Sequence, residues 1–495
     1  MSEKQIKLSV LNLPALDDVE LPKEVKELLR ILKNLQAEIY LIGGFVRDLI
    51  LSRKSYDLDF VIVDKSALDV GKEIVSKLEG NCFLLDKETQ TTRVVLKDEA
   101  SSAYTFDFTS INKAGLENDF ARRDFTINAL AINIKDPEFL IDKFNGIDDL
   151  KSKTIKTIKL QNLTDDPLRF VRAFRFAAML QGNIENNILD YIKQKIGSFN
   201  DSVSGERIAT ELWKILDVEA SFKYIKDMSN IGLLEKIFPE LTPMRKVPPN
   251  DYHHLWLFDH SIELIETFEE NFFKIPGWAK DELNTPFGQL ESPKKSSIVK
   301  LGCVFHDVGK PGTWEIKNVN GAEKHTFYGH DKVGAEITNK LSERLKFSNA
   351  ISELLSKLVR YHLRPFQLSQ DNVPITEKAL YRFFRDVGVD TPSLLTLAMA
   401  DLYATQGPKV TKDDLLKSEK LLLFLFDEYK KYNDREIEIA NKPKLLNGNE
   451  IMILTGLKPS QELGQIIKEL DEAIALKEVK TKDDAKNWVL SKVQR

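Results

Sequence analysis

Cysteine is scarce: Cys82 and Cys303 are the only two in 495 residues. Two lone thiols cannot build a disulfide framework, and such a chain suits a reducing compartment. No apolar run approaches the roughly 18 residues a membrane helix needs. The opening MSEKQIKLSV lacks the apolar core of a secretory signal. A cytoplasmic chain without membrane contact is therefore expected. Positive charge is not in excess either. The formal net charge is −5, which excludes a global field for polyanions; a nucleic-acid partner would have to meet a local basic surface. Histidine is missing from most of the chain, and all seven lie between His253 and His362. Imidazole is the commonest metal ligand, so a metal centre confined to that stretch is expected.

What is present suffices for several cores, with 42% apolar and 30% charged residues. At roughly 100–200 residues per domain, about three or four domains are expected. AEIYLIGG (37–44) reads as a strand ending in a glycine pair, and VRDLIL opens a helix. YDLDFVIV (56–63), NCFLLD, TTRVVLK and TFDFTS read as further strands, with a helix over 66–80. From about residue 160 the pattern is helical throughout. Pro239, Pro243, Pro248 and Pro249 mark a boundary, and the Pro/Gly-bearing stretch from Ile275 to Ser296 reads as a loop.

Asp57 and Asp59 stand two apart on a predicted strand, so both carboxylates share one face, ~6.5–7 Å apart. Two such anions repel unless a cation lies between them, and Mg²⁺ is bound through one or two carboxylates plus substrate phosphates. A pair of such ions can activate a hydroxyl and stabilise a leaving pyrophosphate. Asp107, on a neighbouring predicted strand, is the candidate third carboxylate. A lone Asp-x-Asp reads better as a solvated strand face. Here GGFVRD (43–48) precedes it: Gly43 and Gly44 allow close backbone approach, the following helix offers free N–H groups to phosphate, and Arg47 adds a charge-assisted contact.

GGFVRDLIL…YDLDFVIV resembles the first motif of the class II tRNA nucleotidyltransferase and bacterial poly(A) polymerase family, within the DNA polymerase beta-like superfamily. RRDFTINALAI (122–132), with Arg123, Asp124 and Asn128, resembles the second, which in that family contacts ribose and triphosphate. LIDKFNGIDDL (140–150) resembles the hinge motif, with Lys143 for the usual Pro and Asn145 for the usual first Gly. DDPLRFVRAFRFAA (165–178) resembles the fourth motif, although Asp165 replaces the usual Glu. In that motif an Asp and an Arg hydrogen-bond the edge of the incoming base, and the matching residues are Asp166 and Arg169. A carboxylate accepts from the exocyclic amine of C or A and a guanidinium donates to a ring acceptor. The same stretch also reads as a capped helix, with Asp165 or Asp166 as cap and Pro167 at its first position. Arg172 and Arg175 continue it as a basic stripe, equally readable as a phosphate contact or a solvated face. SGERIATEL (204–212) resembles the fifth motif.

The resemblance implies a multidomain fold. A mixed-sheet α+β nucleotidyltransferase head over 1–140 is followed by an all-α neck (141–235), third domain (236–405) and tail (406–495). It implies Mg²⁺, CTP, ATP and tRNA as cofactor, substrates and partner. The family contains CCA-, CC-, A- and poly(A)-adding enzymes, and CCA-adding members carry a flexible loop between the third carboxylate's strand and the second motif. Twelve residues separate Thr109 from Arg122, and that short span resembles the CC-adding subgroup.

In the histidine stretch, CVFHDVGKP places His306 beside Asp307. Upstream stands His260 on a helical pattern; downstream stands Asp401 on an otherwise apolar one, a costly place for an unpaired charge. This His…His-Asp…Asp order resembles the HD phosphohydrolase superfamily, whose four ligands hold a divalent ion, a transition metal or Mg²⁺/Mn²⁺. In that superfamily extra histidines at such places bind a second ion or the substrate phosphate, which makes His330 and His362 candidates for either, whereas His253, His254 and His325 read as loop or surface histidines. The implied activity is phosphoester hydrolysis, for example of a cyclic phosphate or 3′-phosphate on a damaged RNA end. Two other readings stay open: a poly(A) polymerase, and an HD enzyme with a non-extending head.

Overall fold

The computed structural model describes residues 5–87, 90–97, 103–112, 115–199, 202–288, 292–319, 322–369, 374–440 and 444–493. The chain divides into two compact units, Met1–Ile215 with Met228–Lys236, and Leu216–Asp227 with Ile237–Arg495.

The first unit is built on an eight-stranded sheet. Its strands are β1 (Gln5–Lys7), β2 (Glu38–Ile42), β3 (Leu58–Val63), β4 (Gly80–Asp86), β5 (Thr91–Lys97), β6 (Ala103–Ile111), β7 (Leu130–Asn133) and β8 (Phe139–Asp142). Their order is β1-β8-β7-β2-β3-β6-β5-β4. Only β3 and β6 run parallel among the neighbouring pairs, and the sheet is mixed as expected. The connection from β3 to β6 carries the helix Ala67–Val75 and the β4–β5 hairpin. The expected strands all form, but β1, β7 and β8 were not legible. In β7, Leu130, Ala131 and Ile132 are all buried, so no period-two alternation advertises a strand.

Helix α1 (Gly44–Ile50) follows β2, and α2 (Gly115–Arg122) follows β6. Downstream lie α3 (Leu168–Leu180) and α4 (Gly205–Leu216). Phe170, Val171, Phe174 and Ala177 of α3 are fully buried, a helical-period stripe that seats the helix.

The second unit is helical around α5 (Leu257–Asn271), α6 (Lys295–Phe305), α7 (His330–Arg344), α8 (Asn349–Tyr361) and α9 (Thr391–Ala404). Helix α9 has almost no polar face: all of Leu394, Leu395, Leu397, Ala398, Met399 and Ala400 are buried, so it forms the centre rather than the wall of the bundle. The last three helices, within 448–493, share a separate small core around Ile451, Leu470, Ala485 and Val489.

Two expectations are corrected. The region after the head is not purely α: a two-residue parallel pair (Thr154–Ile155 with Asn183–Ile184) and a hairpin (Glu315–Val319 with Ala322–Thr326) interrupt the helices. The stretch read as a loop contains the helix Gly277–Leu283, which Pro276 precedes and whose Ala279 and Leu283 are buried.

Candidate active site and candidate metal centre

The head site arises from strand register. Parallel pairing sets Asp59 of β3 opposite Asp107 of β6, and antiparallel pairing sets Asp107 opposite Arg93 of β5. Asp57 lies one residue before β3 and is exposed, while Leu58 between the two aspartates is buried on the other face. Arg93 grips Asp107 with two hydrogen bonds, Nε to Oδ1 at 2.8 Å and Nη2 to Oδ2 at 2.7 Å. That fork fixes the carboxylate plane beside Asp59. Burial first, then the charge of Asp57, pushes the Asp59 carboxyl up to about 7, against the pull of Arg123. A crowded carboxylate set short of positive charge fits divalent ions.

Gly43 turns the chain from β2 into α1 at φ +75°, a conformation favouring glycine. A Cβ there would lie 3.1 Å from Arg123 Nη1 and 3.5 Å from Asp59 Oδ2, so the backbone itself forms one wall of the site. Arg123 donates to Asp119 at 3.0 Å and to the Asn128 carbonyl at 3.2 Å, which aims it toward the aspartates.

Behind this wall lies a buried polar chain. Arg47 donates to Asn128 Oδ1 at 2.7 Å, Asn128 donates to Asp124 at 2.9 Å, and Arg172 donates to the other Asp124 oxygen at 2.7 Å. Arg172 and Arg175 both donate to Glu211 of α4, at 3.2 and 2.7 Å, and Arg175 lies over the Phe176 ring at 3.6 Å. Arg172 and Arg175 are held by internal carboxylates and an aromatic face and stay 29% and 13% exposed, so they are not a freely solvated stripe. Arg47 is likewise 7% exposed and bonded to Asp48 and Asn128, so it braces the glycine turn.

At the start of α3, Asp166 accepts from Arg207 at 2.7 Å and from the Leu168 N–H at 3.3 Å, and Arg169 donates to the Asn162 carbonyl at 2.9 Å. The two expected base-reading residues stand on adjacent turns, each oriented by a separate partner. Asp165 is the last residue of the preceding short helix and no cap.

The second unit gathers His260 (α5), His306 and Asp307 (after α6), His330 (α7), His362 (after α8) and Asp401 (α9). His260, His306 and Asp307 form one group of converging ligand atoms; Asp307, His330 and His362 form another. His306 Nδ1 donates to the Cys303 carbonyl at 2.8 Å, His330 Nδ1 to Phe327 at 2.6 Å and His362 Nδ1 to Val359 at 2.8 Å. A carbonyl only accepts, so each Nδ1 carries a proton and each Nε2 is turned toward the cluster, the atom a metal would take. Asp401 Oδ1 lies 3.4 Å from His260 Nε2, and Asp307 Oδ1 lies 3.3 Å from His330 Nε2 and 3.5 Å from His362 Nε2. His260 Nε2, His306 Nε2, Asp307 Oδ1 and Asp401 Oδ1 are all buried without a directed hydrogen bond. Burying four such atoms costs free energy unless a further partner binds them, and the His/Asp donor set fits a divalent ion. Burial opposes ionisation of Asp307, but Lys310 and His306 outweigh it and hold its carboxyl well below the usual range.

A family model described as "Poly A polymerase head domain" matches residues 39–156, one described as "HD domain" matches 258–406, and "Probable RNA and SrmB- binding site of polymerase A" matches 183–245. The chain belongs to the tRNA nucleotidyltransferase and poly(A) polymerase family, with an HD domain. It is 29% identical to the A-adding tRNA nucleotidyltransferase of Deinococcus radiodurans, over 91% of this chain and 94% of that one. It is also 29% identical to the CC-adding tRNA nucleotidyltransferase of Thermus thermophilus, over 91% and 92%. The Thermotoga maritima CCA-adding enzyme, solved in complex with tRNA, shares the fold at a TM-score of 0.63 and 21% identity, over 100% of both chains. In the described part of this nucleotidyltransferase no helix is long and apolar enough to cross a membrane.

Two residues of this family member escaped the sequence reading. Arg93 carries no motif, and only the β5–β6 register reveals its grip on Asp107. His253, read as a loop residue, lies with its ring centre 4.4 Å from that of His260, the rings tilted by 55°, and its Nδ1 is buried and unpartnered; burial, then His260, pushes it down to about 3. His325 accepts a hydrogen bond from Trp314 at 3.0 Å and is not part of the cluster.

Proposed function

We propose that the enzyme extends the 3′ end of tRNA from CTP and stops after two cytidines. The observation that carries the transferase reading is the register that sets Asp59 against Asp107, with Arg93 locking the latter. The terminal 3′-hydroxyl attacks the α-phosphorus of CTP, a new P–O bond forms, and the bond to pyrophosphate breaks. Asp57, Asp59 and Asp107 would hold Mg²⁺, which supplies hydroxyl activation and charge neutralisation when bound. Arg123, aimed over the aspartates, meets the triphosphate. Gly43 and Gly44 let the chain pass close to it. Asp166 accepts from the cytosine amine while Arg169 donates to its ring acceptors, and the Arg207 contact keeps Asp166 oriented. Replacing both Asp57 and Asp59 by Ala abolishes incorporation; retained incorporation would remove the head from the mechanism.

Arrest after two cytidines is supported by the span that follows the third carboxylate. Strand β6 ends at Ile111 and α2 begins at Gly115, so three residues connect them where CCA-adding relatives place a flexible loop. The relatives at 29% identity include both an A-adding and a CC-adding enzyme, so overall similarity is silent on this point.

A second activity is supported by the four orphaned donor atoms: the HD domain hydrolyses phosphoesters. His260, His306, Asp307 and Asp401 would hold one divalent ion, with His330 and His362 extending the set through Asp307. When bound, such an ion supplies a water of lowered pKa. Water adds to phosphorus, the P–O ester bond breaks, and the departing alcohol takes a proton.

A further inference from the structure

One face of the head sheet is covered over only part of its width. Tyr40 and Ile42 of β2 and Val61 and Val63 of β3 pack with Phe120 of α2, so α2 closes that part. The same face continues outward along a single row. Asp59 of β3 opposes Asp107 of β6, Asp107 opposes Arg93 of β5, and Arg93 opposes Phe83 of β4, the last strand of the sheet. Directly opposed residues share a face, so Phe83 stands on the side that carries the carboxylates. At one strand spacing per step it lies about 10 Å from Asp107, a span that one or two nucleotides bridge. Here the face is open: Phe83 is 47% exposed and the Arg93 side chain 36%. The alternate residues point the other way. Thr92 and Val94 are fully buried, and a Cβ on Gly71 of the helix Ala67–Val75 would touch them and Cys82. Phe83 therefore turns away from the core under that helix, and its ring faces solvent beside the carboxylates.

The reaction geometry says what meets it. Gly43, with Arg123 against it, borders Asp59 from the β2 side, whereas β5 and β4 lie beyond Asp107 on the other side. In an in-line displacement the attacking oxygen and the leaving pyrophosphate occupy opposite sides of the phosphorus. With the triphosphate at Gly43 and Arg123, the acceptor's 3′-hydroxyl enters from the β5–β4 side. We propose that Phe83 binds the acceptor RNA, the base at or next to its 3′ end stacking on the ring. Stacking on an aromatic ring is tolerant of base identity, which suits an end that changes with each addition. The inference rests on the transferase reading of the head.

The full-length protein with Mg²⁺ and CTP is given a tRNA transcript ending at the discriminator base, or the same transcript with that terminal base removed. Phe83→Ala should raise KM for the intact transcript about tenfold, the order of one lost stacking contact, with KM for CTP unmoved, and Phe83→Trp should restore it. Removing the base should cost wild type a similar factor and cost Phe83→Ala nothing further. An unchanged KM for tRNA, or two effects that multiply, overturns the proposal. An exposed edge strand also suits pairing with a second protein chain; a lower apparent mass of Phe83→Ala in gel filtration, with KM for tRNA unchanged, would give the edge to that role and likewise overturn it. Should wild type add nothing to either transcript, the transferase reading fails. Photo-crosslinking then decides Phe83 alone, with p-benzoylphenylalanine in its place: an adduct within the last two nucleotides of the tRNA upholds the contact, and an adduct elsewhere or none overturns it.

Discussion

Asp59 illustrates how a candidate catalytic side chain can oppose the fold that holds it. Its carboxyl is raised to about 7 by burial and by Asp57, so the folded metal-free protein prefers the protonated form. A group raised on folding contributes stability below its unfolded value near 4, and that contribution is lost as pH rises through about 7. Asp59→Asn should therefore melt several degrees above wild type at pH 8 in EDTA, with the gap vanishing toward pH 4, while nucleotide addition is abolished. A gap independent of pH would show that Asp59 is not raised. In the second unit, His306→Ala should strip the purified protein of bound divalent metal, read by elemental analysis; unchanged metal content would refute the ligand assignment. That Asp59 and Asp107 converge, and that His260, His306 and Asp307 converge, was foreseeable from residue type and order along the chain. Arg93 and His253 were not, because one depends on a cross-strand register and the other on the path of a loop.

Elements show where local pattern misleads. The stripe of Arg169, Arg172 and Arg175 along α3 looks like a basic surface, yet two of its members are spent on Asp124 and on Glu211 of α4. Glu211→Ala would leave two largely buried guanidinium groups short of their carboxylate. Breaking such a pair costs roughly 3 kcal/mol, visible as an earlier first unfolding transition in urea. A cost near zero would mean that water replaces Glu211. The hinge motif departs from its family at Asn145, which stands at φ +59°, a conformation Asn tolerates better than most residues. Gly146 cannot vary similarly: a Cβ there would come within 2.3 Å of the Thr126 carbonyl oxygen. Gly146→Ala should thus lower both the melting temperature and the yield of soluble protein, whereas Asn145→Gly should leave both within error. Strands β4, β5 and β6 were legible from their β-branched and aromatic runs; β7 and β8 were hidden inside the second and third motifs, whose conspicuous residues are polar.

At the scale of the molecule, a chain of net charge −5 has to hold a polyanion through local contacts, so affinity for tRNA should fall steeply between 50 and 200 mM salt. The chain's length led to an expectation of about three or four domains, and its motifs then placed a mixed-sheet head before a helical remainder. The exchange between the two compact units at Ile215 was not legible, because α4 runs unbroken to Leu216. The measurement that tests the account most directly uses purified protein, Mg²⁺ and three tRNA transcripts, ending at the discriminator base, in C, or in CC. Each receives CTP, ATP or both, and added nucleotides are counted on a sequencing gel. The account predicts two cytidines, then one, then none, with ATP ignored throughout. A full CCA end or addition of A would contradict the short-connection argument, and no addition to any transcript would contradict the transferase itself.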